Sequence, residues 1–242
     1  DMTQGNPVKE VLLFSVPMIL ASVFQQMYNA VDSIIVGQFV GANALAAVGA
    51  AFPAMFLAMS VLIGITMGVQ IIISQLFGAG EHERMRATFA TSIISLMILV
   101  VIASVIGYFA SGTILELMNT PPEIIADSKA YLDEIFKGLI FMFLYNLYTS
   151  VLRGVGDSKT PLYFLIISSI LNIVLDLVYV IQFGMGVRGV AIATVQSQAV
   201  SVVLCIIYTN IRIPLFRLGL RDLRVDFDIL KTIFRFGIPT AI

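Results

Sequence analysis

The chain has 242 residues, of which 59% are hydrophobic and 12% charged, with a mean hydropathy of +0.98. Soluble domains carry about 25% charge, so a surface this poor in charge could not be wetted all round, and the chain reads as an integral membrane protein. The net charge of -1 argues against a nucleic-acid partner, the single Cys205 excludes an internal disulfide, and the single His82 leaves no histidine cluster for a metal. A basic n-region and a small-residue cleavage site are both missing from the first residues, so no signal peptide is expected, and an opening at Asp1 reads as a trimmed start.

Charge-free runs of about 20 residues or more mark the expected membrane helices. The first covers 11–39, where Pro17 predicts a kink or an interfacial entry segment. Gly37, Gly41 and Asn43 mark a tight turn before a second span at 50–76. The charged residues Glu81 to Arg86 read as a solvated loop, and a third span follows at 87–110. A polar interruption at 111–122 precedes a fourth span at 131–152, whose first turns carry Asp133 and Glu134 and project among the headgroups. The fifth and sixth spans cover 160–184 and 189–211, which closes a six-helix domain at 1–211. A basic stretch with Pro214, residues 212–231, reads as a cytoplasmic linker, and 232–242 as the start of a seventh span.

Orientation follows from Lys and Arg near the span ends. With the N-terminus cytoplasmic, all fourteen fall inside except Lys129, Lys137 and Arg188. The segment from Lys231 through Phe236 to Pro239 also repeats the spacing of Lys9, Phe14 and Pro17. That echo suggests a second copy of the six-helix unit, entering the membrane in the same sense, with a cavity between two halves.

Apart from the headgroup turns of the fourth, two carboxylates fall inside the spans. On the fifth, Ser168, Asn172 and Asp176 share one helical face, with Tyr179 at its margin. On the first, Gln25, Tyr28 and Asn29 form a polar stripe that ends at Asp32. Each acid stands about 25 to 35 Å above the cytoplasmic charges Lys159 and Lys9, so both lie in the outer half. The sixth span brings Thr194, Ser197, Gln198 and Ser201 to one face, and the second brings Thr66, Gln70 and Ser74. A buried carboxylate costs about 2.5–3.5 kcal/mol on insertion scales, which points to function, whereas hydroxyl and amide stripes also serve as interhelical hydrogen bonds. Two charged acids at one depth would repel, so one is expected to carry a proton or the pair to hold a cation.

These residues carry a family resemblance. Pro17, Gln25, Asn29 to Gly37, Gly68-Val69-Gln70, Leu152 to Pro161, Asn172 to Asp176 and Gly189 to Thr194 together resemble the N-terminal lobe of multidrug and toxic compound extrusion (MATE) transporters. The resemblance implies one half of a twelve-helix, pseudo-twofold, all-α transporter, joined to a C-terminal lobe of the same protein. It also implies export of amphipathic, cationic small molecules from the plasma (inner) membrane by alternating access, driven by H⁺ or Na⁺ and without a cofactor. Residue by residue, Asp32, Asn172, Asp176 and Thr194 match the coupling-cation site, which would bind Na⁺ where Na⁺ is the driving ion, and Gln25 matches a cavity-lining position. Tyr28, Asn29, Gln70, Ser168 and Tyr179 are the further candidates for the substrate cavity.

Rival readings rest on less. A flippase for a lipid-linked sugar or peptidoglycan precursor would share the architecture, but it calls for Arg or Lys facing a pyrophosphate, and the spans offer none beyond the headgroup turns of the fourth. Gly184 to Gly189 spells G-x-G-x-x-G after a helix-length apolar run rather than a strand, with no acid placed for a ribose. Gly154 to Asp157 resembles the G-x-G-D of intramembrane aspartyl proteases, yet Asp157 sits between Arg153 and Lys159 in a cytoplasmic turn, so an enzyme is not expected.

Overall fold

Hydrocarbon offers no water to backbone N–H and C=O groups, so a spanning segment must close its hydrogen bonds within itself, as a helix does. The computed structural model describes residues 7–219 and 225–241 and forms seven helices, with no strand among the described residues. They are α1 (Pro7–Ile35), α2 (Ala42–Ala79), α3 (His82–Leu117), α4 (Pro122–Gly154), α5 (Lys159–Leu177), α6 (Gly186–Arg212) and α7 (Phe227–Ala241). Five of them, α2, α3, α4, α5 continued to Gln182, and α6, are long and apolar enough to cross a membrane. α1 runs 29 residues from Pro7 to Ile35. Large apolar side chains point outward from the bundle, Phe109 79% and Leu57 71% exposed among them, as suits a surface solvated by lipid tails.

α4 is the central helix, packed against α2, α3 and α6, while α1 lies at the edge against α5, and α5 against α6. Small residues set the closest crossings, as expected where van der Waals packing drives helix association. A Cβ on Gly138 of α4 would overlap the Val195 side chain of α6, and one on Gly68 of α2 would stand 2.6 Å from the Ile233 carbonyl oxygen of α7.

Most helices run past the expected spans, because charge and polarity at their ends are capped or paired rather than expelled. α2 begins at Ala42, not 50, since the chain turns at Gly41 alone, where φ is +120°, and both Asn43 and Pro53 lie within the helix. α3 continues through the interruption expected from 111 on, because Ser111 donates to the Tyr108 carbonyl and to Asp133 of α4. The charged run before 131 is helical from Pro122, a proline start that sacrifices no hydrogen bond. There Lys129 pairs with Asp133 at 2.6 Å, while Glu134 takes Lys137 at 3.0 Å and Arg188 of α6 at 2.9 Å. α1 is continuous across Pro17. α7 starts at Phe227, five residues before 232, because the Asp226 carboxylate accepts from the N–H groups of Asp228 and Ile229 as its N-cap. The linker residues Arg221 and Arg224 lie outside the described residues.

Replacing Gly138 by Leu forces overpacking between α4 and α6. We expect a loss of about 1–3 kcal/mol, read as a lower thermal-unfolding midpoint in detergent; an unchanged midpoint would contradict the close crossing.

Candidate ion and substrate site

Asp32 and Asp176 come together between α1 and α5 with their carboxyl groups in hydrogen-bonding reach of each other. Asp176 and Asn172 are fully buried and Asp32 partly so. Both helices change pitch just beyond the acid. α1 ends in a π-helical turn, Val36–Val40, closed by Gly41 N–H on the Val36 carbonyl at 3.0 Å. α5 ends in another, Val178–Gln182, closed by Phe183 N–H on the Val178 carbonyl at 3.2 Å. The two turns lie side by side. Widened turns of this kind recur at functional sites, where they re-aim the side chains around them.

A shell of neutral polar groups surrounds the acids. The Asn172 amide fits its neighbours in one orientation, with its nitrogen donating to Asp176 Oδ2 at 2.9 Å and its oxygen accepting from the Thr194 N–H at 3.2 Å. Thr194 Oγ1 donates to the Val190 carbonyl at 3.1 Å, so at its 3.3 Å contact with Tyr28 the phenol is the donor. Tyr131 of α4, 4% exposed, lies near both acids. One oxygen of each carboxyl, Asp32 Oδ1 and Asp176 Oδ1, is buried without a protein hydrogen bond among the described residues. Two contacting carboxylates cannot both stay charged in so dry a place, so the pair must share a proton or bind one cation. The groups suited to a hard cation are those two free oxygens and Thr194 Oγ1, since oxygen donors favour such ions.

Asp32, Asn172, Asp176, Thr194 and Tyr28 therefore form one cluster. Ser168 is buried one turn down α5 from Asn172. Gln25 and Asn29 link to each other and to Gln26 at 3.3–3.4 Å along α1, whose outer face is open. Tyr179 turns its hydroxyl away, donating to Gln196 Oε1 of α6 at 2.6 Å. Gln70 is not brought to the pair. Its carbonyl lies against Gly154 at the far end of α4, 23 residues from Tyr131, about 34 Å along the helix. Tyr131 and the two π turns went unread in the sequence; Gly41 and Gly184, both at positive φ just after the turns, were the only trace of the turns.

Asn172→Leu removes the amide donor on Asp176, worth about 0.5–1.5 kcal/mol for a bond to a neutral, protonated carboxyl. In infrared difference spectra we expect it to shift the protonated-carboxyl band that Asp176→Asn abolishes; a band unmoved by Asn172→Leu would contradict the contact.

The chain is 38% identical over 241 residues to the probable multidrug resistance protein YoeA of Bacillus subtilis, covering 97% of this chain and 52% of that protein. It superposes on an outward-facing structure of a multidrug resistance MATE family transporter of the MOP superfamily with a TM-score of 0.86 at 28% identity, over 98% of this chain and 52% of that one. An inward-facing structure of such a transporter matches with a TM-score of 0.83 at 29% identity, over 90% and 49% of the two chains. The chain spans about half the length of the curated relatives it matches. The MatE family model matches residues 17–178, which include both acids and Asn172, and the chain belongs to that family.

Proposed function

We propose that residues 1–211 form one lobe of a two-lobed antiporter that exports amphipathic organic cations in exchange for H⁺ or Na⁺. The observation that carries this reading is the contact of Asp32 with Asp176 inside a helical bundle. A pair neutralised by a proton or a cation is stable in the dry bundle, whereas an empty, charged pair favours hydration and an organic cation. Ion and substrate thus exclude each other. If they also favour different conformations, their movements are coupled, and relatives caught facing outward and inward supply the two conformations that such coupling needs. Asp32, Asn172, Asp176 and Thr194 are the coupling residues on this reading, and Tyr28, Gln25, Asn29 and Ser168 line the way to them. Tyr179 and Gln70 belong further out, toward the two ends of the lobe.

The distribution of basic residues supports a cytoplasmic N-terminus in the plasma membrane, with 212–231 as the inter-lobe linker and α7 as the first helix of the second lobe. The described groups around the pair are acids, amides, hydroxyls and phenols, which suit a cation better than the pyrophosphate of a flippase substrate. No third acid, histidine or cysteine joins them among the described residues to make a multivalent metal centre.

In proteoliposomes holding the full-length transporter, Asp32→Asn and Asp176→Asn are each expected to abolish ion-driven efflux while the protein still inserts. Efflux at the wild-type rate in both variants would remove the model. Driving the wild type with a Na⁺ gradient alone and with a pH gradient alone identifies the ion.

A further inference from the structure

Below the carboxyl pair, α6 carries a second set of polar groups that the site does not use. At 100° per residue Gln198, Ser201, Cys205 and Tyr208 all fall within about 40° of the direction of Thr194, a stripe about 21 Å long. Thr194 and Ser197 satisfy their hydroxyls on backbone carbonyls of their own helix. The groups further down do not. Gln198 Oε1, Ser201 Oγ and Thr209 Oγ1 are buried with no hydrogen-bond partner among the described residues, although Ser201 is 0% and Thr209 1% exposed. Buried polar atoms are as a rule bonded, to protein or to ordered water, and a water needs two to four such partners.

α4 and α5 complete the enclosure. Tyr145 and Tyr148 of α4 lie near Cys205, and Tyr145 also lies near Arg153, whose Nε has no hydrogen-bond partner among the described residues. At the lower end the Tyr208 hydroxyl donates to Asp157 Oδ2 at 3.0 Å, while Asp157 Oδ1 accepts the Thr160 N–H at 3.0 Å. Asp157, at the head of α5, is thus held where the stripe emerges. The Gly-x-Gly-Asp motif that carried no enzymatic reading finds its place here, as the anchor of that opening.

We propose that α4, α5 and α6 enclose a file of water running from Asn172 and Thr194 past Gln198, Ser201 and Cys205 to Tyr208 and Asp157. The file gives protons a route between the carboxyl pair and the cytoplasmic end of the lobe that does not pass through the substrate cavity. The role of the route rests on the pair being the coupling site; the presence of water does not, and the two are tested separately.

The one cysteine of the chain sits midway and reports on water directly. With every cysteine outside residues 1–242 changed to serine, its S–H stretch is a single infrared band that moves to S–D when the thiol exchanges with D₂O. In the full-length transporter in lipid bilayers, the Cys205 S–H band should disappear within minutes of transfer to D₂O, and Gln198→Leu with Ser201→Val should slow that loss by about tenfold or more. Ser201→Ala, the gentler change, should slow it severalfold. An S–H band that persists for hours in the wild type, or that decays at the same rate in all three proteins, overturns the proposal. Asp32→Asn should leave the exchange fast while abolishing ion-driven efflux. A dry seam and a failed coupling site therefore give different results.

Discussion

Two carboxyl groups that touch inside an apolar bundle can hold only one negative charge without a cation between them, and the rest of the structure answers to that constraint. The cost of burying even one charge is several kcal/mol. The Asn172 amide meets part of it by donating to Asp176, and Thr194 fixes the amide by offering its own N–H. What remains unmet, one oxygen on each acid, is the capacity of the site.

The scaffold divides into a stiff part and a part free to respond. α4 sits among α2, α3 and α6 and meets α6 so closely at Gly138 that a Cβ has no room. This contact fixes the level of Tyr131 against that of Thr194. α1, by contrast, contributes Asp32 from the edge of the bundle, leans on α5, and leaves its far face open, with Ile19, Val23 and Met27 exposed beside Gln26. One acid is therefore mounted on α5, which is tied through α6 to the core, and the other on a helix with fewer neighbours. On the proposed function, a change in the charge held between them acts first on α1, and the adjoining π turns are where a helix shifts pitch most readily.

Much of the site was legible in the sequence, for a definite reason. An acid in a charge-free run is costly, and helical periodicity then names its companions, so Asp32, Asn172 and Asp176 could be read without coordinates, with Thr194 at a matching depth. Periodicity does not say which way a stripe faces. Gln70 shares the helical spacing of Thr66 and Ser74 yet lies against Gly154, while Tyr131, an isolated aromatic at the start of a span, carries no pattern at all. Helix ends were harder still, because charge was taken as the mark of a loop. Asp226 caps a helix, and Asp133 and Glu134 are paired on one, so the helices outrun the hydrophobic runs that announce them. The family likeness extends to relatives about twice as long.

The central claim is that one positive charge, proton or Na⁺, occupies the space between Asp32 and Asp176 and gives way to an organic cation. The most direct measurement adds a fluorescent organic cation to the purified full-length protein in weakly buffered detergent and counts the H⁺ and Na⁺ released with a pH indicator and a sodium electrode. The account predicts about one positive charge released per cation bound, and none from Asp32→Asn. Binding of the organic cation with no release of either ion would contradict it.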